Sequence, residues 1–454
     1  MTPQSACRRY MLVSLLTWLP PGLMMAPMVL LMTERGLTIA EVGATMALYS
    51  AVSVALELPT GGLADVLGRR VVLSASAAFT VAGLSLMVVA DSFTLFAVSA
   101  IAKGVARALS SGPAEAWYVD TLHALEGPDA DLKPGLSRGH AMESVALCGG
   151  TIVGGLVPLV VPGGLAVPPG MGAAAAVVLL VVALFALPEP PHGHRTLGAV
   201  LRTVPATVLS GLRMTVADGV LRRLMGVAVV LGTALVAVEL LTPVRLAALT
   251  GAAESGATAY AFVAAIGFAG SALGSALAPR VAALLRGPGG FGGRGPGGFE
   301  GRGSGLDSGR GSVRGSVAGI VVTALSLAAL AATATLTGAA GLVTAGLAYA
   351  AMFTGLSITV LLGAELTHLR VTSAERATMT SVSSMSLQTG AGLANLGLAS
   401  LALGLGTAAA WWLAAALALA STLLFARMPD LRPTPRPALQ PAVFAGEPEG
   451  LRPV

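Results

Sequence analysis

The residues in this chain that could do chemistry are few, and most are charges inside otherwise apolar runs. Lys103 and Arg107 stand four apart, so on a helix they share a face, with Ser111 and Glu115 further along the stripe. A charge at the centre of a bilayer costs about 2.5–3.5 kcal/mol on insertion scales. Two of them must therefore face a watered cavity or find partners. Either they form a substrate or proton-coupling site, or they belong to an ion pair that braces helices, with Glu57 or Glu143 as partner. Glu239 lies in a later apolar run, about 9 Å from its outer end at 1.5 Å per residue, with Arg245 near that boundary. Removing a carboxylate from water favours its neutral, proton-carrying form. That makes Glu239 the first candidate for proton coupling; the alternative is a bracing partner for Arg107 or Lys103. Gln388 and Asn395 line the same cavity or bond neighbouring helices, and Trp18 is a further cavity candidate.

The composition says what must position these groups. Of 454 residues, 55% are hydrophobic and 11% charged, with a mean hydropathy of +0.81. Soluble domains carry about 25% charged residues, so lipid has to be the solvent for most of this chain. The 58 glycines suit closely packed membrane helices, where small residues let backbones approach. Backbone groups in lipid must bond within their own segment, which forces helices. A bilayer core of about 30 Å needs about 20 apolar residues per helix. On that ruler the sequence predicts twelve spans, near 10–32, 42–60, 71–90, 94–116, 141–162, 171–187, 221–243, 258–279, 317–336, 341–363, 379–403 and 406–426. The first is interrupted by Pro20-Pro21.

Charge sets the orientation. Of the 27 Lys and Arg residues, all but Arg35, Lys103, Arg107 and Arg245 fall in the two tails or in gaps on one side. By the positive-inside rule both termini are cytoplasmic, in a multi-pass protein of the cell membrane. The net charge of +5 is thereby explained without nucleic acid. The expected organisation is a first six-helix half at 1–187, a cytoplasmic loop at 188–220, a second half at 221–427 and a Pro-rich disordered tail at 428–454. A short surface helix is expected over Thr207–Arg223. Arg286–Ser316, with its Arg-Gly and Gly-Pro-Gly-Gly pieces, reads as a flexible cytoplasmic spacer within the second half. Cys7 and Cys148 do not read as a disulfide, and His192 and His194 lack a third ligand at metal spacing, so no metal or cofactor is expected.

One stretch carries more than topology. Gly61-Gly62-Leu63-Ala64-Asp65-Val66-Leu67-Gly68-Arg69-Arg70 forms a tight polar turn between two spans. It resembles the signature loop of the major facilitator superfamily of transporters, of the form Gly-x-Leu-Ala-Asp-x-x-Gly-Arg-Arg. The segment from Arg107 to Asp120, with Gly112, Glu115 and Trp117, resembles the corresponding helix end in bacterial members related to drug exporters. The resemblance implies an all-α fold of twelve helices in two pseudo-symmetric six-helix halves. It also implies a cytoplasmic gating network of Asp65, Arg69 and Asp120, with Arg70, Glu115, Gly61 and Gly68 around it. The arginine would bridge a carboxylate on its own loop to one on the next helix, and that pair must part when the halves rock. In the fifth span, Ala146, Gly150, Thr151, Gly154 and Gly155 partly match the family's antiporter pattern Gly-x-x-x-Gly-Pro-x-x-Gly-Gly. Ala146 and Thr151 depart from it. In the second half, Ala272 to Arg280 is a faint echo of the signature loop and lacks the aspartate.

The expected function is proton-coupled secondary transport, by alternating access, of small apolar or amphipathic compounds outward, by a monomer whose partners are substrate, protons and lipid. Apolar guests fit because the spans are rich in Ala, Val, Leu and Met. A symporter or facilitator for a small anion, clamped by Lys103 and Arg107, is the second reading. A non-transporting receptor or scaffold is the reading of another class. Enzyme chemistry is not expected. Neither lysine sits in a Gly-x-x-x-x-Gly-Lys-[Ser/Thr] loop, and His-Glu-x-x-His is absent.

Overall fold

The computed structural model describes residues 1–127, 129–161, 163–188, 209, 211–286, 304–372, 375–426 and 428, without the side chains of 58, 59, 61, 62, 65, 304–308 and 377. All regular structure in these residues is helical. Helix α1 (Pro3–Met25) meets α2 (Met28–Glu34) at a bend of 46°. The chain then forms α3 (Ile39–Leu67), α4 (Arg69–Val89), α5 (Phe93–Ser110), α6 (Pro113–Glu126), α7 (Lys133–Val160) and α8 (Val167–Ala186). After a helical stretch at 211–217 follow α9 (Gly219–Thr250), α10 (Ala253–Leu284), α11 (Ser304–Ala332), α12 (Gly338–Arg370), α13 (Arg376–Leu405) and α14 (Thr407–Ser421).

Among the described residues, ten helical stretches are long and apolar enough to cross a membrane, eleven if the bent α1–α2 pair is one span. The expected span at 379–403 falls in α13, which has the length, at 30 residues, but is diluted by Ser383, Ser384, Gln388, Thr389 and Asn395. The break in the first span is not where expected. Helix α1 runs through Pro20 and Pro21 and stops at Ala26-Pro27. There Pro27 removes a backbone donor and disfavours helix at the residue before it.

Two further boundaries differ from expectation. The tight polar turn expected over the whole signature stretch is confined to one residue. Helix α3 persists to Leu67, and the reversal is made by Gly68 alone, at φ +94° and ψ 150°, a conformation nearly restricted to glycine. The predicted spacer at 286–316 is helical from Ser304 onward. Gly311 packs against the Ala282 carbonyl of α10, and Ser312 donates to a Glu365 carboxylate oxygen of α12 at 2.9 Å. Small residues there serve close helix contact rather than flexibility. The rest of that spacer, most of the loop at 188–220 with His192 and His194, and the tail after 428 lie outside the described residues.

The helices pack in two sets with two seams between them. Among α1–α8, α1 packs on α7 and α8, α4 on α5 and α8, and α3 on α5. Among α9–α14, α12 packs on α10 and α11, α9 on α10 and α13, and α14 on α11. Helix α3 meets α13 along one seam and α7 meets α10 along the other. A Cβ on Gly43 would overlap the Asn395 carbonyl, and one on Gly155 would overlap Ala261. Glycine is what lets both seams close.

One apolar core crosses between the sets. Val29, Leu30, Leu31 and Met32 of α2 are at most 2% exposed and share a cluster with Val236, Ala237, Val238, Leu240 and Leu241 of α9 and Tyr260 of α10. That end of the molecule, away from the Gly68 turn, is sealed by side chains.

Candidate functional site

Away from that seal, a small cleft lies between the sets. It is lined by Ser53 and Glu57 of α3, Arg107 and Ala108 of α5, Ser111, and Gln388 of α13. Helix α5 ends at Ser110 because Gly112 takes φ +93°, and Pro113 then starts α6. Ser111 and Glu115 therefore do not continue the Lys103–Arg107 stripe, and Arg107 lies in the last turn of α5 rather than mid-helix. A cation is favoured at that end by the helix dipole. The guanidinium sits 5.1 Å from the centre of the Trp18 ring of α1, a cation–π contact worth about 0.5–2 kcal/mol. Among the described residues it makes no hydrogen bond and no ion pair.

Glu57 faces the same cleft but does not pair with Arg107. Its carboxylate accepts hydrogen bonds from Gln388 Nε2 at 2.8 Å and Ser384 Oγ at 3.2 Å, both on α13. This polar tie crosses the α3–α13 seam. Sequence reasoning treated Glu57 only as an ion-pair partner, and Glu143 instead contacts His140 at 3.3 Å. The available signal was a lone carboxylate within the apolar run 42–60, but nothing in the sequence joins it to α13, more than 300 residues later.

The other candidates separate. Lys103, one turn from Arg107, points its ammonium at the sulfurs of Met28 and Met87, at 3.9 and 3.6 Å. It lies toward the sealed end, so the two cations do not form one clamp. Glu239 is deeper than expected, because α9 runs on to Thr250, eleven residues or about 16 Å further. It makes no ion pair with Lys103 or Arg107 and no hydrogen bond among the described residues. Asn395 is 3% exposed in the α3–α13 seam against Gly43, outside the cleft, while Gln388 is in it. Two cations that departed from the one-sided charge pattern cap helix ends. Arg35 donates to the Ala90 carbonyl at the end of α4, and Arg245 to the carbonyls of Thr333, Ala334 and Leu336 after α11.

A sequence model described as Major Facilitator Superfamily matches residues 10–364. The chain belongs to this superfamily. Solved structures with the same fold include the nucleoside transporter NupG, at 14% identity and a TM-score of 0.73 over 93% of this chain and 98% of that one. A mutant form of NupG gives 14% identity, a TM-score of 0.72, and 93% and 99% coverage. A POT family transporter in complex with a thioalcohol-conjugated peptide gives 13%, 0.64, 93% and 98%. A comparison with curated proteins finds no match.

The motifs of this major facilitator can now be placed. Arg69 at the start of α4 meets Asp120 of α6 at 3.5 Å. Glu115 is exposed in the first turn of α6, and the side chain of Asp65 lies outside the described ones. Helices α4 and α6 pack together within the first set, so the Arg69–Asp120 pair need not part when the sets move. In α7, Gly150 and Gly154 admit the Leu23 backbone of α1, and the Ala146 carbonyl faces Gly22. Thr151 donates to the Leu147 carbonyl at 2.7 Å, one turn back. Gly155 packs on α10, where the Thr258 hydroxyl donates to its carbonyl at 2.6 Å. The antiporter-like residues thus form packing surfaces on α1 and at the α7–α10 seam.

Proposed function

We propose that this major facilitator is a secondary active transporter with twelve spans in two halves, 1–187 and 221–427, joined by the loop at 188–220. The halves rock about a central cleft, both termini face the cytoplasm, and the monomer in the cell membrane is the working unit. The observation that carries the reading is the asymmetry between the ends. Side chains of α2, α9 and α10 seal one end, while the cleft of Arg107, Glu57 and Gln388 lies toward the other and is bounded by both sets. Moving that seal from one end to the other is alternating access.

Proton coupling is assigned to Glu239, a carboxylate in an apolar helix that makes no hydrogen bond and no ion pair among the described residues, with the hydroxyls of Tyr49, Tyr260 and Tyr349 as its electrostatic neighbours. The outward direction is supported by the partial antiporter pattern in α7, and small apolar or amphipathic cargo by the Ala-, Val-, Leu- and Met-rich spans. A second reading, uptake of a small anion, has a specific observation in its favour: the Arg107 guanidinium meets no acceptor among the described residues. The test is accumulation of cationic, neutral and zwitterionic fluorescent dyes in cells producing wild type or Glu239→Gln, with and without a protonophore. Lower accumulation of a dye in wild type, abolished by protonophore and by the substitution, is the expected result. Protonophore-insensitive export would remove the proton from the reading, and higher uptake of an anionic dye, run beside the others, in wild type would favour the anion route.

A further inference from the structure

Arg107 and Glu57 line one cleft, yet neither neutralises the other. An arginine carries five donors in a planar fork. None of those on Arg107 meets an acceptor among the described residues; its guanidinium lies over the face of Trp18 and within electrostatic reach of the Tyr49 hydroxyl. An ionised carboxylate offers about four acceptor positions. Gln388 and Ser384 occupy two on Glu57. Among the described residues the cleft thus keeps an open anion-binding fork and spare acceptor positions, on helices of the first set, with α13 holding the carboxylate from the second.

Charge arithmetic narrows the ligand. The pair sums to zero. A singly charged cation would satisfy Glu57 and be repelled by Arg107; a singly charged anion would do the reverse. A solute with both an acid and an ammonium end satisfies each without leaving a desolvated charge unpaired, which is the costly outcome. Glu239 and Lys103 do not disturb this balance at short range, since neither ion-pairs with Arg107 or Glu57 among the described residues. The geometry points to a dipolar, net-neutral solute as cargo, its acid end on Arg107 and its ammonium end on Glu57. This deepens the transport reading above and rests on it: the polar head of the amphipathic cargo is zwitterionic.

The test uses the purified full-length protein in detergent and the ω-amino acids β-alanine, γ-aminobutyrate and ε-aminocaproate, which sweep the separation between the charged ends. Caproate and hexylamine are the singly charged controls. Affinity is read from ligand-induced shifts of the thermal midpoint. At least one ω-amino acid binds wild type better than either control. Glu57→Gln moves the preference toward caproate and Arg107→Gln toward hexylamine, each by about tenfold or more, as a charge-assisted hydrogen bond of about 1.5–3 kcal/mol implies. If a glutamine variant fails to fold, Glu57→Asp and Arg107→Lys, which keep the charge, must retain the wild-type preference. The assignment is overturned if no ω-amino acid binds, if a control binds as well, or if the variants leave the preference unchanged. Protonophore-sensitive dye flux persisting beside such a failure removes only the zwitterionic class. Loss of both removes the transport reading.

Discussion

Asp218 and Arg370 form an ion pair that no motif announces. One carboxylate oxygen of Asp218 accepts from the Val220 and Leu221 amides and so caps α9; the other meets Arg370 Nε at 2.8 Å. The two side chains are 2% and 9% exposed. Removing one partner of a buried pair is far more damaging than an exposed pair's worth suggests, because a charge stays buried. Asp218→Ala should therefore cost about 3 kcal/mol, the cap included. The measurement is the thermal midpoint of the purified protein in detergent, and an unchanged midpoint would contradict the role. By contrast Arg69–Asp120, with Asp120 half exposed, is in the range of about 0–1 kcal/mol. Its value lies in holding α4 to α6. The exposed pair was readable from a motif, whereas the buried one joins residues 152 apart.

At the scale of elements, the seams decide what moves. Helices α3 and α13 touch through Gly43, whose Cβ position is filled by the Asn395 carbonyl and the Ala399 side chain. Gly43→Val should push these helices apart and reduce flux severely while the protein still reaches the membrane fraction. Normal flux in that variant would show that the seam is not a working contact. The same helices carry the Glu57–Gln388–Ser384 tie, so a shift along the seam alters the cleft directly. Helix existence was legible from hydropathy alone, because every backbone group in lipid must be satisfied within its own segment. Helix ends were less legible. Gly68, Gly112 and Pro27 set three of them, and glycine and proline also occur inside these helices, as at Pro20 and Pro21.

At the scale of the molecule, the Gly- and Arg-rich segment is the clearest case for removal. Deleting 288–303 should leave flux near wild type, since α11 begins at Ser304. Extending the deletion to 312 removes Gly311 from α10 and the Ser312–Glu365 hydrogen bond between α11 and α12, and flux should fall. Equal flux from both deletions would mean that this turn of α11 is dispensable. The dye experiment belongs to the same scale, because it tests whether sealing one end and opening the other moves solute at all.

The sequence alone determined the class of the protein. Too few charges for water, apolar runs of spanning length, one-sided basic gaps and one specific turn identified a multi-pass helical transporter of the major facilitator type. These are local properties, each written in one stretch of chain. The tertiary structure decided which charges share a cleft. Lys103 and Arg107, neighbours on one helix, face different ends of the cavity, and Glu57 is held by two residues of α13. The physical reason is that periodicity fixes the face of a helix but not what lies opposite. Only the packing of α3 on α13 and α5, with glycine at the closest approach, put the Arg107 guanidinium and the half-occupied Glu57 carboxylate around the same space.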